Sequence, residues 1–154
     1  VVAPGSICDD YLIIEDFYPT ILEMAGIKDY QTRQKMDGKS FVNLLKGQPS
    51  EDRERALFWH FPNEWGPTGP GIGAASTIRK GDWKLIYFHN QENFELFNVK
   101  EDISESKNLI EENPEKAKEL AEELTHYLKS VNAQMPKHLN TGKQVAWPNE
   151  KFIS

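Results

Sequence analysis

The sequence predicts an α+β fold in which a small antiparallel sheet of about four strands is covered by one long C-terminal helix. Two observations carry this. Between residues 56 and 99, short runs rich in β-branched and aromatic residues alternate with turn signals. After Asn113-Pro114-Glu115, apolar residues recur at helical spacing: Ala117, Leu120, Ala121, Leu124, Leu128 and Val131.

Val1 to Ile14 is apolar and β-rich, but Pro4-Gly5 and Asp9-Asp10 break it. From Asp16 the pattern turns helical, with Phe17, Ile21, Leu22 and Ala25 on one face. Asp16 reads as the N-cap, Pro19 sits in the first turn where its missing N–H costs little, and Gly26 ends the helix. A polar connection through Asp37-Gly38 leads to a short helix, Phe41–Lys46, stopped by Gly47. The charged, Pro-containing stretch Gln48–Arg55 is the expected boundary, giving domains 1–47, 48–135 and a tail, 136–154.

Ala56–Phe61 reads as the first strand. Residues 62–73 hold seven Gly or Pro out of twelve and form a loop. Ser76–Arg79 and Trp83–Phe88 make a hairpin about the turn Lys80-Gly81-Asp82, and Phe94–Val99 follows a turn at Asn90–Asn93. Short turns between consecutive strands imply an antiparallel meander. In the long helix, Asn113 is the cap, Pro114 takes the first position and Glu115 faces the positive end of the dipole. Beyond Met135-Pro136 the pattern is lost, and 136–154 reads as an extended or loose tail.

The chain has 154 residues and 11% aromatics, enough for a core and against disorder. Its net charge of −6 disfavours a general nucleic-acid binder. That excess sits in residues 101–123, with nine acids against three lysines, and reads as a solvated face. No apolar stretch reaches the ~18–20 residues of a membrane span.

Few side chains offer chemistry. Cys8 stands alone, beside two carboxylates that would raise its pKa, and reads as a small semi-buried side chain. Asp9 and Asp10, neighbours on an extended segment, point to opposite faces and make a poor cation site. His60, His89, His126 and His138 lack HxxxH or HxH spacing. Gly69-Pro70-Gly71-Ile72-Gly73 has the glycines of a phosphate loop, but its prolines and neighbours lack the N–H donors and the strand–loop–helix frame. The most suggestive feature is Phe58-Trp59-His60-Phe61-Pro62-Asn63-Glu64-Trp65, which opens into the Gly/Pro-rich loop. Trp65 would offer a flat face to a sugar ring, and His60 and Asn63 would offer hydrogen bonds. The alternative is that Phe58, Trp59 and Phe61 are core and His60 is a satisfied edge residue.

Several pieces together carry a resemblance. Asp16-Phe17-Tyr18-Pro19-Thr20-Ile21-Leu22-Glu23-Met24-Ala25-Gly26-Ile27, Asp37-Gly38-Lys39-Ser40-Phe41 and Leu44-Leu45-Lys46-Gly47 resemble the end of the catalytic domain of the arylsulfatase family. Arg55–His60, Ile78–Ile86, Glu95–Val99 and Asn108-Leu109 resemble that family's C-terminal subdomain. The resemblance implies that the first helices close an alkaline-phosphatase-like α/β catalytic domain. It also implies a parent enzyme that hydrolyses sulfate esters with a formylglycine and a calcium ion. The formylglycine arises in a Cys/Ser-x-Pro-x-Arg motif, whereas Cys8 is followed by Asp9, Asp10, Tyr11 and Leu12.

Formylglycine, calcium ligands and sulfate clamp therefore belong to the family's N-terminal part, with no cofactor, catalytic residue or metal ligand expected in these residues. The expectation is an inactive C-terminal piece that helps line a cleft for a sulfated saccharide or aryl sulfate, with His60, Asn63 and Trp65 as substrate-binding candidates. Residues 1–47, apolar on faces the catalytic domain would cover, are expected to drive self-association. Two other readings stand beside this one: an independent protein-interaction module, and a piece of a related phosphoester or phosphonate hydrolase.

Overall fold

The structure, a computed structural model, describes residues 2–27, 29–50, 52–63 and 73–152. The chain divides into two units, Val1–Glu54 and Arg55–Ser154.

In the first unit, a 3-10 turn, Ile14–Asp16, runs into helix α1, Phe17–Met24, and a single-turn helix α2, Val42–Leu45, follows. Asp16 does not cap α1. Its own backbone is already helical, so its carboxylate reaches elsewhere. One oxygen accepts from the Ile13 N–H at 3.0 Å and the other from the Lys39 N–H at 2.9 Å. Thr20 extends the tie, donating from Oγ1 to the Asp16 carbonyl at 2.7 Å and accepting from the Phe41 N–H at 3.0 Å. Gly38 is required by this closure, because a Cβ there would lie 2.0 Å from the Glu15 carbonyl oxygen. The polar side of α1 is thus the buried one. Of the expected apolar face, Phe17 and Ile21 are exposed, as are Ile14 and Met24 beside them. Cys8 is exposed too, since residues 4–13 pair with no strand.

The second unit opens with four strands: β1 Ala56–Phe61, β2 Ala75–Lys80, β3 Trp83–Phe88 and β4 Asn93–Asn98. They lie in the order β1-β2-β3-β4, all antiparallel. Gly81 takes a positive φ of 56° in the two-residue β2–β3 turn. Register sets the faces. Phe58, Ile78, Leu85 and Leu96 lie in one row across the sheet. His60, Ser76, Tyr87 and Phe94 form the next row on the same side. Helix α3, Pro114–Ser130, covers that side with Ala117, Leu120, Ala121, Leu124 and Leu128, all buried. Phe58 stacks on Tyr127 with ring centroids 3.8 Å apart.

The free edge of β4 is closed by side chain rather than by strand. Asn108 Oδ1 accepts from the Leu96 N–H at 3.0 Å, its Nδ2 donates to the Phe94 carbonyl at 3.2 Å, and the Leu109 N–H donates to the Leu96 carbonyl at 2.7 Å.

Three expectations change. Asn113 precedes α3 but makes no side-chain cap; its Nδ2 donates back to the Leu109 carbonyl. Val131 lies past the helix and is exposed. Residues 136–152 are packed rather than loose: Val145 and Pro148 are buried, Trp147 and Phe152 rest against the core, and a 3-10 turn spans Pro148–Phe152. The segment carries too few apolar residues to show periodicity, yet Val145, Trp147 and Phe152 land on the sheet–helix core, while Leu139 is fully exposed.

Leu124, fully buried mid-stripe, gives the sharpest test. Leu124→Asp buries an unpaired carboxylate and should cost about 4 kcal/mol or more. Leu124→Ala should cost about 2–5 kcal/mol. Urea unfolding followed by Trp fluorescence checks both, since all four Trp lie in the second unit.

Candidate functional site

The alternation of β1 places His60 on the α3 side of the sheet and Trp59 and Phe61 on the other, where both are exposed. Next to His60 in the row is Ser76, fully buried. His89, just beyond β3, is fully buried as well and lies with its ring centroid 5.6 Å from that of His60 and 5.6 Å from that of Tyr87. Three contacts join them: His60 Nε2 to the Gln134 carbonyl at 3.2 Å, His60 Nδ1 to Ser76 Oγ at 2.8 Å, and Ser76 Oγ to His89 Nε2 at 2.9 Å.

The partners dictate where the hydrogens go. A carbonyl only accepts, so His60 Nε2 carries a proton. In a neutral ring Nδ1 is then bare and accepts from the Ser76 hydroxyl. Ser76 Oγ in turn accepts from the His89 Nε2–H. That leaves His89 Nδ1 as a buried acceptor with no partner. Burial, with a smaller contribution from His60, lowers the His89 pKa to about 4, so the ring stays neutral. Burial first, then the charges of Glu92 and Glu150, raises the Tyr87 pKa. Its phenol therefore remains a donor, bonded to the Ala146 carbonyl at 3.0 Å.

A hydroxyl donating to an imidazole is the beginning of a nucleophile–base pair. Here the hydroxyl is wholly enclosed and no substrate atom reaches it, so the arrangement holds the fold together. Of the three sequence-derived candidates, His60 spends both ring nitrogens inside the unit. Asn63 is exposed two residues past β1. Trp65 lies outside the described residues. Ser76, Tyr87 and His89 were not singled out from sequence. The hairpin register, which aligns His60 with Ser76 and Tyr87, was the signal that could have found them.

A second polar hub sits on the β3–β4 turn. Glu92 Oε1 accepts from His138 Nε2 at 3.0 Å and from the Ala146 N–H at 3.4 Å, and Oε2 accepts from Lys151 Nζ at 2.7 Å. The Lys151 contact is the main reason its pKa is lowered.

Among the described residues no three His, Cys, Asp or Glu side chains converge as a cation site would require. Asp10 instead pairs with Arg53 at 3.0 Å. The described residues do not fit a calcium centre. In the first unit, an open hollow of about 550 Å³ lies between Tyr18 and the loop 31–36, without a buried polar group aimed into it.

Buried His89 makes stability depend on pH. A ring whose pKa falls from its ordinary 6.5 to about 4 on folding gives its full contribution above pH 6.5. That contribution is lost as pH falls through the window toward 4. Glu92 and Asp102, whose pKa values are lowered, remain ionised at pH 5. The loss between pH 6.5 and 5 should therefore belong to His89 and amount to roughly 2 kcal/mol. Trp-monitored urea unfolding at those two pH values measures it, and an unchanged midpoint would contradict the burial of a neutral His89.

Comparison with known proteins places this architecture. The family model described as "N-sulphoglucosamine sulphohydrolase, C-terminal" matches residues 1–134. A protein named "Sulfatase" from Formosa agariphila is 38% identical over 104 residues, covering 64% of this chain and 19% of its own length. Arylsulfatase K of Xenopus laevis is 27% identical over 150 residues, covering 94% of this chain and 27% of its own. Among solved structures, a protein in complex with its substrate D-glucosamine-2-N,6-O-disulfate superposes with a TM-score of 0.56. It is 29% identical and covers 76% of this chain and 24% of its own. A putative sulfatase from Bacteroides thetaiotaomicron, 21% identical, shares the fold with a TM-score of 0.53, covering 87% of this chain and 29% of its own. The chain thus spans about a quarter or less of the curated relatives it matches. With the first unit and most of the second inside the matched span, it belongs to the sulfatases, as a member of the N-sulphoglucosamine sulphohydrolase C-terminal family.

Proposed function

We propose that this chain is the C-terminal portion of a hydrolase acting on sulfate esters of a saccharide, and that it supplies structure and cleft lining while the reacting groups lie elsewhere. The observation that carries this reading is the family match over residues 1–134, in a chain whose lone cysteine lacks the Pro and Arg of the nucleophile motif. A saccharide substrate is supported by the relative whose bound substrate is a disulfated glucosamine.

Within this reading the cleft-lining role falls to Asn63, with Trp65 beside it in sequence. His60, tied at both nitrogens, holds the end of the strand from which they depart. In the longer enzyme, Asn63→Ala should lower kcat/KM for a sulfated saccharide by ~1–2 kcal/mol and leave a small aryl sulfate nearly untouched, as loss of a remote contact does. His60→Ala should lower both activities together with the melting temperature. Steady-state kinetics on the two substrates separates these outcomes, and an Asn63→Ala variant equal to wild type on both removes the cleft-lining role. The chain alone should not turn over an aryl sulfate with or without calcium, and turnover abolished by Cys8→Ala would contradict the proposal.

The isolated chain should also associate. Ile14, Phe17, Ile21 and Met24 stand exposed together at the start of the first unit, an apolar surface of the kind that finds a partner. Light scattering across a concentration series should show mass rising with concentration, falling back to monomer in Phe17→Lys/Ile21→Lys. A monodisperse wild-type monomer would count against this surface.

A further inference from the structure

The segment after α3 is fastened to the rest of its unit at two titratable points of opposite response to acid. Near its start, the Gln134 carbonyl accepts from His60 Nε2. Further on, His138 Nε2 meets Glu92 Oε1. We propose that these two histidines form an acid-operated exchange of anchors, in which mild acid frees Ala133 and Gln134 from the end of β1 while tightening residues 138–146 onto the β3–β4 turn, with Met135 held in the core throughout.

The argument counts donors and acceptors. In the neutral chain every contact from His89 to Gln134 has one donor and one acceptor, and the only mismatch is the bare His89 Nδ1. A proton added to His60 Nδ1 makes it a donor toward Ser76 Oγ, which His89 Nε2–H already faces. The Ser76 hydroxyl hydrogen is then enclosed between two donors. Re-aiming it at His89 requires that ring to move its proton to Nδ1, where no acceptor exists. Every arrangement of the charged state leaves a buried donor unpaired, a cost of the kind that rearranges side chains.

His89 cannot leave, being fully buried. His60 is only half-buried and relieves the conflict by turning its charged ring toward solvent, which gives up the Gln134 carbonyl. Among the described residues, the titratable groups against this pair supply no compensating charge. His89 and His60 face each other, Tyr87 faces His89 as a neutral phenol, and Glu92 and Glu150 act beyond it on Tyr87.

At His138 the sign is reversed. Its partner Glu92 stays ionised in mild acid, so a proton on His138 converts a hydrogen bond into an ion pair. Lys151, on the other Glu92 oxygen at 2.7 Å, keeps its charge throughout. The segment is therefore never released as a whole; its point of attachment moves.

Hydrogen exchange of the full chain at pH 7.5 and 5.0, corrected for the intrinsic rates, reads this directly. The Ala133 amide, bonded to Leu128 at 2.9 Å, should exchange about tenfold faster at the lower pH. The Val145 and Gly142 amides, bonded to Pro136 and His138, should hold or slow, and the α3 amides should not change. His60→Gln should abolish the acceleration at Ala133 and leave the response at Val145 intact. His138→Gln should do the converse. Where a variant fails to fold, ring-nitrogen NMR of the wild type decides: His60 must become charged over the pH range in which Ala133 loosens. Acceleration of Ala133 and Val145 together, no change at either, or loosening while His60 stays neutral would each overturn the proposal.

Discussion

The structure of the second unit depends on one constraint, that a single face of the four-stranded meander be sealed by α3. Ala117, Leu120, Ala121, Leu124 and Leu128 repeat at helical spacing, and the rows they meet repeat at a period of two. Both periods must be satisfied together, so the register of every strand follows. A slip of one residue in β3 would bring Ile86 and Phe88 under the helix and turn Leu85 and Tyr87 to the other side. The tight turn at Gly81-Asp82 and the edge closure by Asn108 remove that freedom. The tail then covers what the helix leaves open, with Val145, Trp147 and Phe152 all against the same core.

The polar chain follows from the same constraint. Tyr87 and Phe94 must face α3, so the residues registered with them, Ser76 and His60, face it as well. Polar groups carried into a core need partners. Here Ser76 sits between two imidazoles, and Gln134 ends the series from the segment beyond the helix. The connection between that segment and the end of β1 is thus a by-product of satisfying a buried row, which makes it sensitive to protons.

Much of this was legible beforehand. β1 and β3 begin and end where their residue runs do, and β2 and β4 differ by a residue at each end. Pro114 at the head of α3 is where its missing N–H costs nothing. The sequence said less where two readings share one residue type. Asp16 has the side chain of an N-cap but spends it on Ile13 and Lys39, because the turn before it is already helical. Asn113 likewise bonds backward instead of capping. In Leu57-Phe58-Trp59-His60-Phe61 both faces are apolar, so alternation alone does not say which side meets the helix. Only the register with Ile78 and Ser76 decides it. That register sets His60 on the helix side, half-buried and bonded at both ring nitrogens, while Asn63 beyond the strand is exposed.

The family assignment rests on a match that takes in the first unit and the second as far as residue 134, while the account of the fold rests on which sheet face the helix seals. Methyl–methyl nuclear Overhauser contacts in the intact chain test that most directly. The account predicts contacts from Leu124 and Leu128 to Ile78, Leu85 and Leu96, and none to Ile86. Contacts from the helix to Ile86 in place of Leu85 would show the opposite face sealed, and would contradict the register, the buried His60–Ser76–His89 series and all that is built on them.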